Sequence, residues 1–230
     1  MSVARLRAVL FDVDFTLARP GPELGPEGYV RAGERHGLLL DPSRYDEARD
    51  AALVDLRRHP ELDHDDEIWF RFTERIVRGM GGDADTAYDC AIDITRGWET
   101  HANFEIYDDV APTIAVLRRA GLRIGLVSNS SRDVREFAVH HELAIDAGIS
   151  SFHHGKTKPH ASIFRAVLDL LEVEPAEAAM VGDTIADDVD GARAVGMRAI
   201  LLDRDGRHPE FEPRIETLAV LPAELGLADL

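Results

Sequence analysis

The sequence is poor in cysteine, in positive charge and in long apolar runs. One cysteine, Cys90, stands among its 230 residues, so no disulfide can form within the chain, and a reducing compartment fits. Lys and Arg number 26 against 43 Asp and Glu, giving a net charge of −17. That balance argues against nucleic acid and anionic membranes as partners. Before the first aspartates only Ala8–Phe11 is continuously apolar, which is too short for a signal peptide or membrane span. We therefore expect a soluble cytoplasmic protein.

The chain has enough apolar residues, 45%, to form a proper core. Short apolar runs alternate with helical patterns, which predicts an α/β fold with a doubly wound, mostly parallel sheet. The predicted strands are Ala8–Phe11, Leu122–Val127, Ala178–Val181, Ala199–Leu202 and Leu218–Leu221. The predicted helices of this part are Asp109–Ala120, Arg132–Leu143, Ala161–Leu171 and Val189–Val195.

A helical insertion interrupts this alternation. Residues 19–103 contain no convincing strand and offer four helical segments, near 27–38, 42–58, 64–79 and 84–100. The two strand ends that flank the insertion, at Asp12 and Ser128, lie 116 positions apart, whereas a simple crossover needs roughly 30 residues. We therefore predict a Rossmann-like catalytic core of 1–17 and 104–230 with an all-α domain of 18–103 inserted. One continuous helical layer is the alternative.

Two carboxylates follow the first apolar run, in Asp12-Val13-Asp14-Phe15-Thr16-Leu17. Residues i and i+2 of a strand point the same way, so Asp12 and Asp14 face one site. An ionised Asp can attack an electrophile without a base, and a protonated one can give a proton to a leaving group. The same residues also fit a turn cap and a solvated loop.

A second motif is GLVSNSSRD, residues 125–133. An apolar strand delivers Ser128 and Asn129 just before a helix. A hydroxyl and main-chain N–H groups in that position can hold phosphate oxygens. An ordinary helix cap is the plainer alternative.

Lysine is almost absent from the chain. Lys156 and Lys158 are its only two lysines, and every other basic residue is arginine. Both lie just before Pro159, and a compact ammonium suits a tight charged site better than a planar guanidinium does. A general bias toward arginine, from which two lysines escaped by chance, is the alternative.

A fourth motif follows the strand at Ala178–Val181. Gly182-Asp183 ends that strand, and Asp187 and Asp188 come four and five residues after Asp183. Glycine permits a sharp turn out of the strand. An acidic helix start on the surface would have the same composition.

These motifs converge because sites in open α/β sheets form beyond the carboxyl ends of the strands. Asp12, Asp14 and Asp183 would then crowd negative charge that only a cation can offset. Mg²⁺ takes oxygen ligands, typically one or two carboxylates with water and substrate phosphate. The sequence therefore predicts a divalent metal between these aspartates.

Taken together, the four ordered motifs resemble those of the haloacid dehalogenase superfamily of hydrolases, over residues 1–17 and about 104–230. The inserted helices resemble the family's cap, which closes over substrate. The resemblance implies a Mg²⁺-dependent phosphatase that hydrolyses a small phosphorylated metabolite through an aspartyl-phosphate.

The resemblance also implies roles for individual residues. Asp12 is the expected nucleophile, Asp14 the general acid and base, Ser128 the phosphoryl-binding hydroxyl, and Lys158 the neutralising cation. Thr16 and Asn129 are expected to join Ser128 and Lys158 in binding substrate. The expected metal ligands are Asp12, the main-chain carbonyl of Asp14, and Asp183, with Asp188 as the supporting acid and Asp187 in a more variable position.

Phe15 departs from the family pattern, which usually has glycine there. A bulky residue changes the backbone conformations open to this position. Retention of Asp14 favours phosphoryl transfer over dehalogenation, because dehalogenases lack this proton donor.

Two other functions remain open at this point. A phosphomutase would use the same residues. A signalling receiver module also uses an acidic cluster and a lysine, but it carries the phosphorylated Asp on a later strand. The sequence identifies neither the phosphate ester nor the oligomeric state.

Overall fold

A computed structural model describes residues 5–227 of the chain. The contacts between residues divide it into two compact units. The sheet unit comprises Met1–Arg19 and Ile106–Leu230, and the helical unit comprises Pro20–Glu105.

The sheet unit is built on six parallel strands. The strands are β1 (Ala8–Phe11), β4 (Arg123–Ser128), β5 (Ala147–Ser150), β6 (Ala178–Gly182), β7 (Arg198–Leu202) and β8 (Arg214–Ile215). Their order across the sheet is β5-β4-β1-β6-β7-β8, and every neighbouring pair is parallel. Two further strands, β2 (Ala18–Pro20) and β3 (Phe104–Ile106), pair with each other.

The central strand β1 is buried on both faces. All four of its residues are 0% exposed. Ala8 and Leu10 pack with Ile163, Phe164 and other residues of the following helices, while the alternation of a strand turns the other two side chains to the opposite face. A continuous apolar run is what such a doubly covered strand requires. The predicted α/β fold with a doubly wound parallel sheet is confirmed.

The helices of the sheet unit cover its two faces. They are α5 (Val110–Arg119), α6 (Val134–His140), α7 (Ser151–His154), α8 (Ala161–Leu171), α9 (Gly191–Ala194) and α10 (Leu221–Glu224). The prediction for α8 is correct to the residue. Helix α6 begins two residues later than predicted, because the Asp133 side chain caps it by accepting from the main-chain N–H groups of Arg135 and Glu136.

One strand predicted from the sequence does not form, and four strands of the structure, β2, β3, β5 and β8, were not predicted. Residues 218–221 form a 3₁₀ turn, Leu218–Val220, that runs into α10. The missed strand β5 reads Ala-Gly-Ile-Ser, and its Gly148 is demanded by packing rather than by strand propensity. A Cβ atom there would lie 3.0 Å from a methyl carbon of Val134.

The helical unit contains the four predicted helices. They are α1 (Pro26–Arg35), α2 (Tyr45–Asp55), α3 (Asp66–Gly79) and α4 (Ala87–Gly97). Helix α2 is shorter than predicted because its first turn, Pro42–Arg44, is a 3₁₀ turn capped by Asp41. The unit has its own apolar cluster, in which Ile76, Val77 and Met80 are almost fully buried.

Among residues 5–227, no helix is both long and apolar enough to cross a membrane.

Candidate active site

The carboxyl end of β1 leads into a tight turn that carries Asp12 and Asp14. The sheet holds Asp12, whose N–H donates to the Val181 carbonyl at 3.0 Å. The turn then closes on itself, because the N–H groups of Leu17 and Ala18 both donate to the Val13 carbonyl, at 2.8 and 3.0 Å. We call residues 12–18 the catalytic turn, after the nucleophile and proton carrier that the sequence predicts there.

Phe15 takes the left-handed backbone conformation within this turn, with φ at 63°. Glycine adopts that conformation without penalty, whereas other residues pay about 1–2 kcal/mol. The departure from glycine noted in the sequence therefore leaves the turn's geometry in place. Phe15 as a residue is 47% exposed.

Lys158 places its ammonium between two carboxylates. Its Nζ donates to Asp12 Oδ1 at 2.5 Å and to Asp188 Oδ1 at 2.6 Å. The side chain is only 2% exposed. Lys156, two residues earlier, is partly exposed.

Asn129 holds the main chain of Lys158 from both sides. Its Oδ1 accepts from the Lys158 N–H at 2.6 Å, and its Nδ2 donates to the Lys158 carbonyl at 3.1 Å. The residue predicted to contact substrate therefore orients the lysine in this structure. The same Nδ2 lies 3.4 Å from an oxygen of Asp187.

A π-helical turn, Ile185–Asp190, brings Asp188 into the site. Its Oδ2 accepts from the Thr184 N–H at 3.0 Å and from the Thr184 hydroxyl at 2.6 Å, and the residue is 0% exposed. Gly182 makes room for it, since a Cβ atom there would lie 2.3 Å from the Asp188 carboxyl carbon. Asp188 thus occupies the place at the lysine, while Asp187 faces Asn129.

An acidic cluster forms where β1 and β6 end. Asp12, Asp183 and Asp188 each offer one oxygen, and the three oxygens lie within 4.8 Å of one another. Within residues 5–227 this is the one group of three or more acidic, histidine or cysteine side chains so arranged. The carboxylate of Asp14 lies outside the cluster and pairs instead with Arg132.

Arg132 is the site residue that the sequence reasoning missed. Its side chain is 1% exposed and forms an ion pair with Asp14. The signal was available, because Arg132 follows Ser128 by four residues in the second motif. It was not distinguishable there from the many surface arginines of the chain.

One hydroxyl of the site has no hydrogen-bond partner among the described residues. It is the buried Oγ1 of Thr16. Ser128 ends β4 and is 1% exposed. A buried hydroxyl without a hydrogen bond is costly, so the Thr16 hydroxyl is available to an added ligand or water.

Burial and mutual repulsion perturb the acids of the cluster. Desolvation is the largest cause that raises the pKa of Asp12 well above its usual value, and Lys158 opposes it. Desolvation, with repulsion from Asp188, raises the pKa of Asp183 to about 7. Desolvation lowers the pKa of Lys158, but the attraction of Asp12 and Asp188 outweighs it and the pKa rises. The site therefore holds more negative charge than one ammonium neutralises.

Family comparison decides what kind of protein carries this site. The model of the haloacid dehalogenase-like hydrolase family matches residues 6–196. The chain belongs to this family.

Relatives of this hydrolase include named phosphatases. The glyceraldehyde 3-phosphate phosphatase of Methanopyrus kandleri is 31% identical over 223 residues, covering 91% of this chain and 88% of that protein. The phosphoserine phosphatase of Thermus thermophilus is 33% identical over 150 residues, covering 60% and 57%. The crystal structure of a HAD phosphatase from Thermococcus onnurineus has a TM-score of 0.67 and 29% identity, covering 96% of this chain and 98% of that one. The protein is accordingly a hydrolase of the haloacid dehalogenase-like family.

The residues at the carboxyl edge fit a divalent metal. Carboxylate oxygens are the ligands that hard cations take, and the Asp12, Asp183 and Asp188 oxygens converge from two strand ends. Both oxygens of Asp188 already accept hydrogen bonds, from Lys158 and Thr184. Asp12 and Asp183 are therefore the acids with more capacity left for an ion.

Proposed function

We propose that this protein is a Mg²⁺-dependent phosphatase that hydrolyses a small phosphorylated metabolite, with Asp12 as the nucleophile. One observation carries the proposal. The Lys158 ammonium lies between Asp12 and Asp188 at 2.5 and 2.6 Å, beside a third carboxylate, the half-buried Asp183. This arrangement suits a site that must admit an anionic substrate next to an anionic nucleophile.

Asp12 attacks phosphorus through a carboxylate oxygen, and the ester oxygen leaves. The bond from Asp12 to phosphorus replaces the bond to the leaving oxygen, which yields an aspartyl-phosphate. Water then attacks the same phosphorus and restores the carboxylate. Lys158 neutralises charge on Asp12 and on the transferred group throughout.

Asp14 is the proton carrier in this proposal. It gives a proton to the leaving oxygen and takes one from the attacking water. The Asp14 side chain is 21% exposed, so solvent and substrate can reach it. The buried Arg132 forms an ion pair with the same carboxylate.

Two buried hydroxyl side chains are available to bind phosphoryl oxygens. Ser128, at the end of β4, can donate to one of them, and Thr16 lies in the catalytic turn. Asn129 contributes by orienting Lys158, because both its amide atoms bind the Lys158 main chain.

The metal would be held by Asp12, Asp183 and the main-chain carbonyl of Asp14, with Asp188 supporting the site through Lys158 and Thr184. When bound, Mg²⁺ would offset the charge of the carboxylates and of the phosphoryl oxygens. The pKa of Asp183 is raised to about 7 by desolvation and by repulsion from Asp188, and such a cation would offset both effects.

Hydrolysis is preferred to phosphoryl transfer between substrate positions because the full-length relatives named above are phosphatases. By analogy with them, a small polar phosphate monoester is the expected substrate. The helical unit is the proposed cap, with residues 18–103 as its predicted extent.

The test is phosphate release from a panel of phosphorylated metabolites by purified protein with Mg²⁺. Wild type is expected to release phosphate from at least one ester, and Asp12→Asn is expected to lose turnover while circular dichroism remains unchanged. Activity of Asp12→Asn within about tenfold of wild type would contradict the nucleophile assignment. Rearranged ester without free phosphate would identify a phosphomutase instead.

A further inference from the structure

Arg204 links the end of β7 to the catalytic turn. Its guanidinium donates to the Thr16 carbonyl at 3.0 Å and to both oxygens of Asp109 at 2.9 Å. The Arg204 side chain is 16% exposed and that of Asp109 15%. The arginine is therefore committed to fixed partners rather than to solvent.

The surroundings hold the guanidinium in one orientation. Arg204 stacks on the Tyr107 ring, with 3.9 Å from its central carbon to the ring centroid. Asp109 is fixed in turn, because it accepts from the Thr217 hydroxyl at 2.6 Å and from the Leu218 N–H at 2.9 Å. Asp109 and Tyr107 thus already fix the Arg204 guanidinium, so it loses little further conformational freedom when it binds a third group.

The third group, the Thr16 carbonyl, belongs to the part of the catalytic turn that the sheet does not hold. Asp12 is anchored through its N–H to Val181 and through its side chain to Lys158. Asp14 lies beyond that anchor, and its turn also contains Phe15 in the left-handed conformation. Loss of the bond at Thr16 would therefore shift Asp14 more than Asp12.

We propose that Arg204 is a positioning residue, which holds the Thr16 carbonyl so that Asp14 meets the leaving oxygen of the substrate. The proposal rests on the proposed phosphatase function. Arg204 itself touches no reacting atom, and its effect passes through the main chain of the catalytic turn.

The test compares two esters that differ in their need for a proton. Nitrophenolate leaves without protonation, whereas the alkoxide of glycerol phosphate needs an acid. Arg204→Lys keeps the charge beside Asp109 but cannot form the forked contact and reach Thr16 together. A displacement of about 1 Å can cost on the order of 100-fold in rate. We expect kcat/KM for glycerol phosphate to fall at least about tenfold and kcat/KM for p-nitrophenyl phosphate to change less than about threefold.

Arg207→Lys is the matched control. Arg207 lies on the same loop, its side chain is 74% exposed, and its guanidinium pairs with Asp205. Arg207→Lys should leave kcat/KM unchanged for both esters. Asp109→Asn is the second variant, since it weakens the hold on the guanidinium and leaves Arg204 in place. It should show the same preference for the nitrophenyl ester, and it decides the matter if Arg204→Lys does not fold.

Two results would overturn the proposal. One is an equal loss on both esters, and the other is unchanged kcat/KM on both with only a lowered melting temperature. Phosphate release by wild type and its absence in Asp12→Asn establish the phosphatase function separately, so either result in an active enzyme counts against the role of Arg204 alone.

Discussion

At the scale of single residues, the two lysines of the chain have the same chemistry but differ in burial and in their contacts. Lys158 is 2% exposed with a carboxylate on each side of its ammonium, and Lys156 lies partly in solvent. An ammonium is a compact point charge, whereas a guanidinium is wide, flat and forked. The gap between Asp12 and Asp188, where Nζ contacts lie at 2.5 and 2.6 Å, suits the first.

Lys158→Arg is expected to lose most activity, whereas Lys156→Arg keeps nearly all of it. The wider group would push against Asp12 or Asp188, and misplacement of the nucleophile by about 1 Å can cost on the order of 100-fold. The measurement is kcat/KM of both variants on one phosphate ester, with circular dichroism to check folding. A Lys158→Arg variant with more than about a third of wild-type activity would show that the ammonium is not required.

The raised pKa of Asp183 predicts a pH-dependent response to Mg²⁺. The pKa lies at about 7 instead of 3.8 in the folded protein. The folded state without metal therefore gains from protonation, a contribution that is complete below about 4 and lost as the pH rises through about 7. Metal binding requires the ionised carboxylate, so protons compete with the metal below about pH 7.

We expect Mg²⁺ to raise the melting temperature more at about pH 8 than at about pH 6. Thermal melts with Mg²⁺ and with excess chelator give the difference at each pH. Asp183→Asn is the control, and it should show a smaller Mg²⁺ response with little pH dependence. An equal response of wild type at both pH values would remove Asp183 from the metal site.

At the scale of elements, the end of β6 shows why one glycine determines the geometry of the acidic cluster. The strand turns directly into the π-helical turn Ile185–Asp190, and this brings Asp188 back over Gly182. A Cβ atom at Gly182 would lie 2.3 Å from the Asp188 carboxyl carbon, and because both residues are buried in the packed core the added atom must push Asp188 aside.

Gly182→Ala is therefore expected to displace Asp188, to lower the free energy of unfolding by about 1–3 kcal/mol, and to reduce activity at least about tenfold. Gly25→Ala is the matched control, because a Cβ atom at Gly25 meets only the Pro22 carbonyl, at 3.8 Å. Urea unfolding and kcat/KM measure the two effects. Wild-type values for Gly182→Ala would mean that the π-helical turn is free to move.

At the scale of the whole molecule, the division into two units predicts separable folding. The sheet unit has its own apolar cluster, and so has the helical unit. The chain leaves and re-enters the sheet unit at neighbouring points, since the Gly21 N–H donates to the Asn103 carbonyl at 2.7 Å. A short linker can therefore replace the insertion.

Replacement of residues 19–102 by a short Gly-Ser linker is expected to leave a sheet unit that folds cooperatively. If the helical unit is the cap, this variant should hydrolyse p-nitrophenyl phosphate but discriminate less among phosphorylated metabolites. Circular dichroism, thermal melts and the metabolite panel test both points. Failure of the shortened chain to fold would mean that the two units form one cooperative structure.

The sequence by itself determined the parallel sheet and the order of the chemical groups along the chain. Apolar runs such as Ala8–Phe11 can be recognised in the sequence because a strand buried on both faces is a nearly continuous run of apolar residues. The site residues can be recognised because they follow such runs or come just before a helix; they are Asp12, Ser128, Lys158 and Asp183. Strand β8 was missed because two residues carry no periodic signal.

Only the tertiary structure decided which of two adjacent residues makes a given contact in the site. Asp187 and Asp188 are equivalent in composition, and the π-helical turn alone sends Asp188 to the lysine and Asp187 to Asn129. The pairing of Arg132 with Asp14 joins residues 118 positions apart. Such contacts depend on the path of the chain in three dimensions, and local sequence patterns carry no record of partners that distant.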